Sequence, residues 1–213
     1  MVLGANDGII STACLILGVA AADATRNSIL TAGMAGLVAG AVSMGLGEYV
    51  SVSSQSDAER ADIAKEKWEL ETMPDHELDE LTAIYAAKGL PQALAREVAE
   101  ELTKHDALGI HLAEELGITT TTTARPVQAA VGSAVAFTTG AAIPLATAAI
   151  ATSDSRIITT LVVVTISLAG LGWAGARFGQ ADTTKPTVRV VVGGLIAMGI
   201  TMLVGNLFGA AIA

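Results

Sequence analysis

Five stretches of this chain run without a charged side chain, or with one, for about as long as the hydrocarbon core of a bilayer is thick. That constrains the fold more than any other feature. A helix crosses a bilayer in about 20 residues. The stretches are 1–22, broken only by Asp7, then 27–47, 126–153, 157–176 and 190–213. They are continuous rather than alternating, and lipid leaves backbone groups no partner but their own helix. The expected fold is therefore an all-α membrane protein with five transmembrane helices.

Charge falls elsewhere. Residues 54–124 hold 16 of the 21 acids and 6 of the 12 lysines and arginines, so they carry the whole negative balance of a chain whose net charge is −9. The mean hydropathy of +0.57 is too high for an ordinary soluble domain. This segregation divides the chain into spans 1–2 (1–53), an acidic water-exposed insert (54–124) and spans 3–5 (125–213). An acidic insert repels nucleic acid and attracts cations. The single cysteine, Cys14, excludes an intrachain disulfide and a cysteine-based zinc site.

Short linkers make hairpins of spans one and two (Asp23–Arg26) and of spans three and four (Asp154–Arg156). Pro144 predicts a kink in the third span. Gly36/Gly40, Gly175/Gly179 and Gly205/Gly209 have the four-residue spacing that lets helices approach closely. Arg125, Arg177, Lys185 and Arg189 flank span ends on one side, and only Arg26 and Arg156 on the other. The positive-inside rule then puts the insert and the N-terminus in the cytosol and the C-terminus outside. No basic region precedes the first stretch, so a cleavable signal peptide is not expected. The chain starts almost inside its first span, and a prokaryotic plasma membrane is the expected location.

The insert reads as three helices. The first continues out of span two to Thr72. Pro74 opens the second, which Gly89 closes, and Pro91 opens a third that Gly117 closes near Leu116. Thr119–Thr123 is a polar tether back to the membrane. Glu66 and Glu69 are three apart, Glu77 and Glu80 repeat the spacing, and His111 and Glu115 are four apart. Three antiparallel helices can turn all six inward, giving five carboxylates and an imidazole suited to Fe²⁺, Mn²⁺ or Zn²⁺. Ferritin-like bundles use related sets. Acids on solvated helix faces are the other reading, and spacing alone leaves it open. His76 and His105 share no spacing with a partner helix and read as surface residues.

Two acids lie at span ends. Asp7 is near the start of span one and Glu48 at the end of span two, so an antiparallel hairpin brings both to one end. Met44 is one turn before Glu48 on the same face. A carboxylate in lipid is costly when charged and alone, so it holds a cation or takes up a proton. A thioether is a donor that Fe²⁺ tolerates and Mg²⁺ or Ca²⁺ does not favour. Plainer readings stand beside these: a helix N-cap for Asp7, packing for Met44 and an interfacial acid for Glu48.

Asn6-Asp7-Gly8-Ile9-Ile10-Ser11 and the run Gly40–Gln55 (GAVSMGLGEYVSVSSQ) resemble the first- and second-helix signatures of the vacuolar iron transporters and their yeast calcium-cross-complementer and plant nodulin-21-like relatives. The resemblance covers nearly the whole chain. It implies a homodimer whose first two spans line a path moving Fe²⁺ or Mn²⁺ out of the cytosol in exchange for protons. It assigns Asp7 and Met44 to that path, and Glu66, Glu69, Glu77, Glu80 and Glu115 to cytosolic metal binding. Gly36 stands where iron-transporting members carry a glutamate, and His111 where they carry a methionine. No phosphate-binding Gly-x-x-x-x-Gly-Lys loop occurs, so an ion gradient is the expected drive. The alternative is a membrane-tethered metal-binding or ferritin-like oxidase module. Acids at span ends count against it, since an anchor needs none.

Overall fold

The computed structural model describes residues 2–119 and 124–212. Seven helices and no strand occur among them: α1 Val2–Ala21, α2 Arg26–Thr72, α3 Pro74–Ala87, α4 Gln92–Glu114, α5 Pro126–Ile150, α6 Arg156–Phe178 and α7 Thr184–Ile212. Five (α1, α2, α5, α6 and α7) contain a window long and apolar enough to cross a membrane. The chain divides into two units, Met1–Tyr49 with Val127–Ala213, and Val50–Pro126. The 47-residue α2 contributes to both. Nothing in 51–72 interrupts it, as the absence of glycine and proline there requires.

In the first unit α1 is the most buried of the spans. Its Ile9, Ala13 and Leu17 join Val164 and Leu168 of α6 and Met198 of α7 in one core cluster. Small residues let this happen. A Cβ on Gly140 would lie 2.1 Å from the Ala5 carbonyl oxygen, and one on Gly205 would lie 1.9 Å from that of Gly18. Backbone therefore touches backbone where α1 meets α5 and α7. Lipid supplies no hydrophobic drive between helices, so close contact of this kind is what holds them. Of the three glycine pairs, only Gly205/Gly209 meets the α1 segment at both members, Gly205 at Gly18 of α1 and Gly209 at Ala22 just beyond its end.

Two arginines finish α5. Arg26 Nη2 donates to the Ala149 carbonyl at 2.6 Å, and buried Arg156 donates through Nε to that of Ala148 at 3.2 Å. The last carbonyls of a helix have no partner within it and carry the negative end of its dipole, so cations belong there. Pro144 sits inside α5, fully buried, without ending the helix. Span five begins six residues before its uncharged stretch: Asp182 Oδ1 accepts from Thr184 N–H at 2.8 Å, and α7 starts there with Lys185 and Arg189 in its first turns.

The second unit holds the end of α2 with α3 and α4. Pro74 occupies the first turn of α3, and Gly89 follows it with φ of +102°. Leu81, Ala95 and Ala99 are fully buried, and the pairs Arg96–Asp79 and Lys88–Glu114 tie α3 to α4. The third helix of the insert is not continuous as expected. Asp106 leaves helical geometry with φ −159° and ψ 82°, and its Oδ1 accepts the Gly109 N–H at 3.0 Å. Asp106 thus caps a fresh start, and His111 rides on the short segment it begins. Residues 120–123 of the expected tether lie outside the described residues.

Candidate metal-ion sites

A cavity of about 270 Å³ in the first unit is lined by Asp7, Ser11, Thr12, Leu15, Gly36, Gly40, Ser43, Met44 and Phe137. Helix α1 supplies the carboxylate and α2 the thioether. Asp7 lies a turn and more inside α1, which begins at Val2, so it is not an N-cap. It is exposed. The buried ring of Phe137 closes one side: a Cβ on Gly40 would meet its Cζ at 2.1 Å, so only glycine admits the ring there. Gly36 faces the same space, and a Cβ on it would meet only the Leu15 side chain, at 2.6 Å. Glu48 is exposed and does not line this cavity.

The second unit gathers Glu66 of α2, Glu77 of α3, His111 of α4 and Glu115 just beyond it, with one ligand atom from each within 4.8 Å of the others. His111 Nδ1 lies 3.0 Å from Glu66 Oε1, 3.6 Å from Glu77 Oε2 and 3.7 Å from Glu115 Oε2. The imidazole is 0% exposed, and the Glu66 and Glu77 side chains 3%. Glu66 Oε1 and both nitrogens of His111 make no well-directed hydrogen bond among the described residues, although Nδ1 and Oε1 approach as an ion pair if the imidazole is protonated. Buried polar atoms so incompletely satisfied are costly. Three carboxylates around one imidazole also repel one another. Burial, then the nearby charge of Glu115, raises the pKa of Glu66; burial, then the charges of Glu80 and Glu77, raises that of Glu115. A divalent cation among these atoms would answer both costs, and the donors fit one: carboxylate oxygens with one imidazole nitrogen.

A profile of the VIT family matches residues 1–206. The chain belongs to the VIT family. It is 43% identical over 207 residues to the "Vacuolar iron transporter" of Acanthamoeba castellanii, covering 97% of this chain and 76% of that one. It is 37% identical over 209 residues to "Vacuolar iron transporter homolog 1" of Oryza sativa subsp. japonica, covering 98% and 72%. Against "Vacuolar iron transporter homolog 2" of Arabidopsis thaliana it is 35% identical over 209 residues, covering 98% and 82%. These relatives are eukaryotic and named for the vacuole, so they lend no support to the expected prokaryotic plasma membrane.

Of the six insert residues expected to converge, this VIT-family chain brings four together. Glu69 turns away and takes the Lys65 ammonium at 2.8 Å, one turn back on α2. Glu80 joins a second group with His76 and Glu77. His76 and His105 are both exposed, as read from the sequence, and His76 stands one turn before Glu80 on α3.

Proposed function

We propose that this VIT-family protein is a transporter rather than an enzyme, and that it moves a divalent metal ion, Fe²⁺ or Mn²⁺, out of the cytosol in exchange for protons. The observation that carries the reading is the cavity lined by both Asp7 and Met44, in two helices long and apolar enough to span a membrane. The names of the relatives support iron as cargo. An isolated carboxylate in a low-dielectric layer is stable with a cation or with a proton, and not with neither. One site that must hold one or the other is the physical basis of exchange. Met44 adds a soft donor that disfavours Mg²⁺ and Ca²⁺.

The working unit in this reading is a homodimer in the bilayer. Asp7 is exposed on the single chain, as are Leu15 of α1 and Met34, Val38, Val42 and Leu46 of α2. Lipid against that carboxylate would cost several kcal/mol. A second copy covering the face removes the cost and leaves two such carboxylates along one path. The insert lies on the cytosolic side, as the arginine and lysine distribution favours. Its buried set of Glu66, Glu77, His111 and Glu115 collects the ion, Fe²⁺, Mn²⁺ or Zn²⁺, from solution.

Reconstitution into liposomes tests this. Uptake of Fe²⁺, Mn²⁺ and Zn²⁺ is measured in parallel, with and without a pH gradient, for the native chain and for Asp7→Ala and Met44→Ala. Both variants are expected to lose uptake. Wild-type rates from either would rule out the path as drawn.

A further inference from the structure

A buried hydroxyl beside the Asp7 cavity has no partner. We propose that Thr12 is a specificity-determining residue of the path, its hydroxyl taking the place of a water on a divalent ion that moves past Asp7 and Met44 into the middle of the bilayer. The inference rests on the reading that the cavity lined by Asp7 and Met44 carries a divalent ion.

A threonine in a membrane helix ordinarily donates its hydroxyl proton to the carbonyl one turn back, since lipid offers it nothing else. Thr138, Thr139 and Thr147 of α5, Thr165 of α6 and Thr201 of α7 all do so, at 2.7–3.1 Å. Thr12 does not. It is 1% exposed, and its Oγ1 makes no hydrogen bond among the described residues. A buried hydroxyl left in that state is costly. Thr160 of α6 is buried and unpartnered too, but Thr12 lines the Asp7 cavity and Thr160 does not. Because no bond holds Oγ1, one step about χ1 exchanges hydroxyl and methyl, and a helical threonine has two such states open to it.

Thr12 lies in the middle of the 20-residue α1. It is five residues past Asp7, about 7.5 Å along the helix axis. Leu15 is the last α1 residue of the lining, and its side chain would lie 2.6 Å from a Cβ on Gly36. Thr12 therefore stands between the carboxylate and the point where Leu15 packs over Gly36. Gly8, one turn before it on the same buried stripe, sits on the Phe137 backbone: a Cβ there would lie 2.2 Å from the Phe137 carbonyl oxygen. That contact fixes α1 where Thr12 meets the cavity. The middle of a span is where losing water costs an ion most. A hydroxyl is a neutral oxygen donor, so it replaces a water without burying a further charge. Oxygen donors favour Mn²⁺, whereas a thioether favours softer ions such as Zn²⁺. Opposite Met44, Thr12 sets how the path divides between harder and softer ions.

Valine has the shape of threonine, so Thr12→Val removes only the hydroxyl, and Thr12→Ser keeps it. Thr160→Val is the reference for losing a buried, unpartnered hydroxyl elsewhere. Uptake of Mn²⁺ and of Zn²⁺ by the full chain is measured in one liposome preparation, so their ratio does not depend on how much protein is inserted. At subsaturating metal, Thr12→Val should lower the ratio of Mn²⁺ to Zn²⁺ uptake about tenfold, the scale of one oxygen contact to a charged group. Thr12→Ser and Thr160→Val should keep the native ratio. Metal-free Thr12→Val should melt no lower than the native chain in detergent, because an unsatisfied hydroxyl adds nothing to the fold. A clearly lower melt would make the hydroxyl structural and overturn the proposal. So would an unchanged ratio, or an equal change in Thr160→Val. Asp7→Ala reports on the path separately. If it abolishes uptake while Thr12→Val keeps the native ratio, the path stands and Thr12 has no part in it. If it transports at the native rate, the path is wrong and the role of Thr12 falls with it.

Discussion

Replacing Glu66 by glutamine should make the metal-free protein more stable and its response to metal smaller. In the metal-free state Glu66 is a buried carboxylate facing Glu77 and Glu115 across His111. Its pKa is raised, first by burial and then by the charge of Glu115. The stability such a group contributes is fully present below its unfolded pKa, about 4.3, and is lost as pH rises through the higher folded value. Above that value the ionised form strains the fold. Glutamine keeps the shape without the charge, so the metal-free variant should melt higher than the native chain at neutral pH, and the gap should close as pH falls. Metal reverses the order. Free metal at about 100 times the native dissociation constant adds about 2.7 kcal/mol of stability. A variant that binds about 100-fold more weakly gains only about 0.4 kcal/mol at that concentration. At about 2–4 °C per kcal/mol for a chain of this length, the native shift is roughly 5–10 °C and the variant's about 1–2 °C. Thermal melts of the full chain in detergent, with chelator or Zn²⁺ and from mildly acid to neutral pH, measure both effects. A metal-free variant that melts lower and keeps the native metal shift would refute the reasoning.

Other substitutions probe the framework. Gly205→Ala forces a Cβ against the Gly18 carbonyl and should cost about 1–3 kcal/mol, whereas Gly199→Ala, with nothing within 4 Å, should be neutral or stabilising in the same melts. Asp106→Ala removes the cap on the segment that carries His111, so it should cost about 1 kcal/mol and weaken zinc binding in calorimetry. Gly36→Glu needs only the Leu15 side chain to move, and it sets a second carboxylate in the Asp7–Met44 cavity. Its uptake of Fe²⁺ in liposomes should rise above that of the native chain, with the fold retained.

The spans were legible because lipid leaves so few solutions. A run without charges must be a helix, and hairpin linkers of a few residues leave little freedom. Their ends were less legible, because a helix start is set by local capping rather than by hydropathy. Asp182 begins α7 before the uncharged run does. Periodicity located the inward faces of the insert, and Glu66, Glu77, His111 and Glu115 converge as their spacing allowed. It failed at Glu69, where Lys65 on the same face offered a nearer partner. It failed again at Asp106. An aspartate in a polar helix reads as solvated surface until the backbone turns and its carboxylate is found capping Gly109. Glu48 shares its expected depth with Asp7 but lies outside the Asp7 cavity, because depth along a helix says nothing of which way a side chain faces.

In the proposed exchange Asp7 alternates between a metal ion and a proton. Liposomes holding the full chain, with a metal indicator and a pH dye sealed inside, read both ions at once. On external Fe²⁺ or Mn²⁺ the interior should gain metal and turn alkaline in step, and Asp7→Ala should abolish both signals. Metal entry with no change in internal pH, or undiminished exchange by Asp7→Ala, would contradict it.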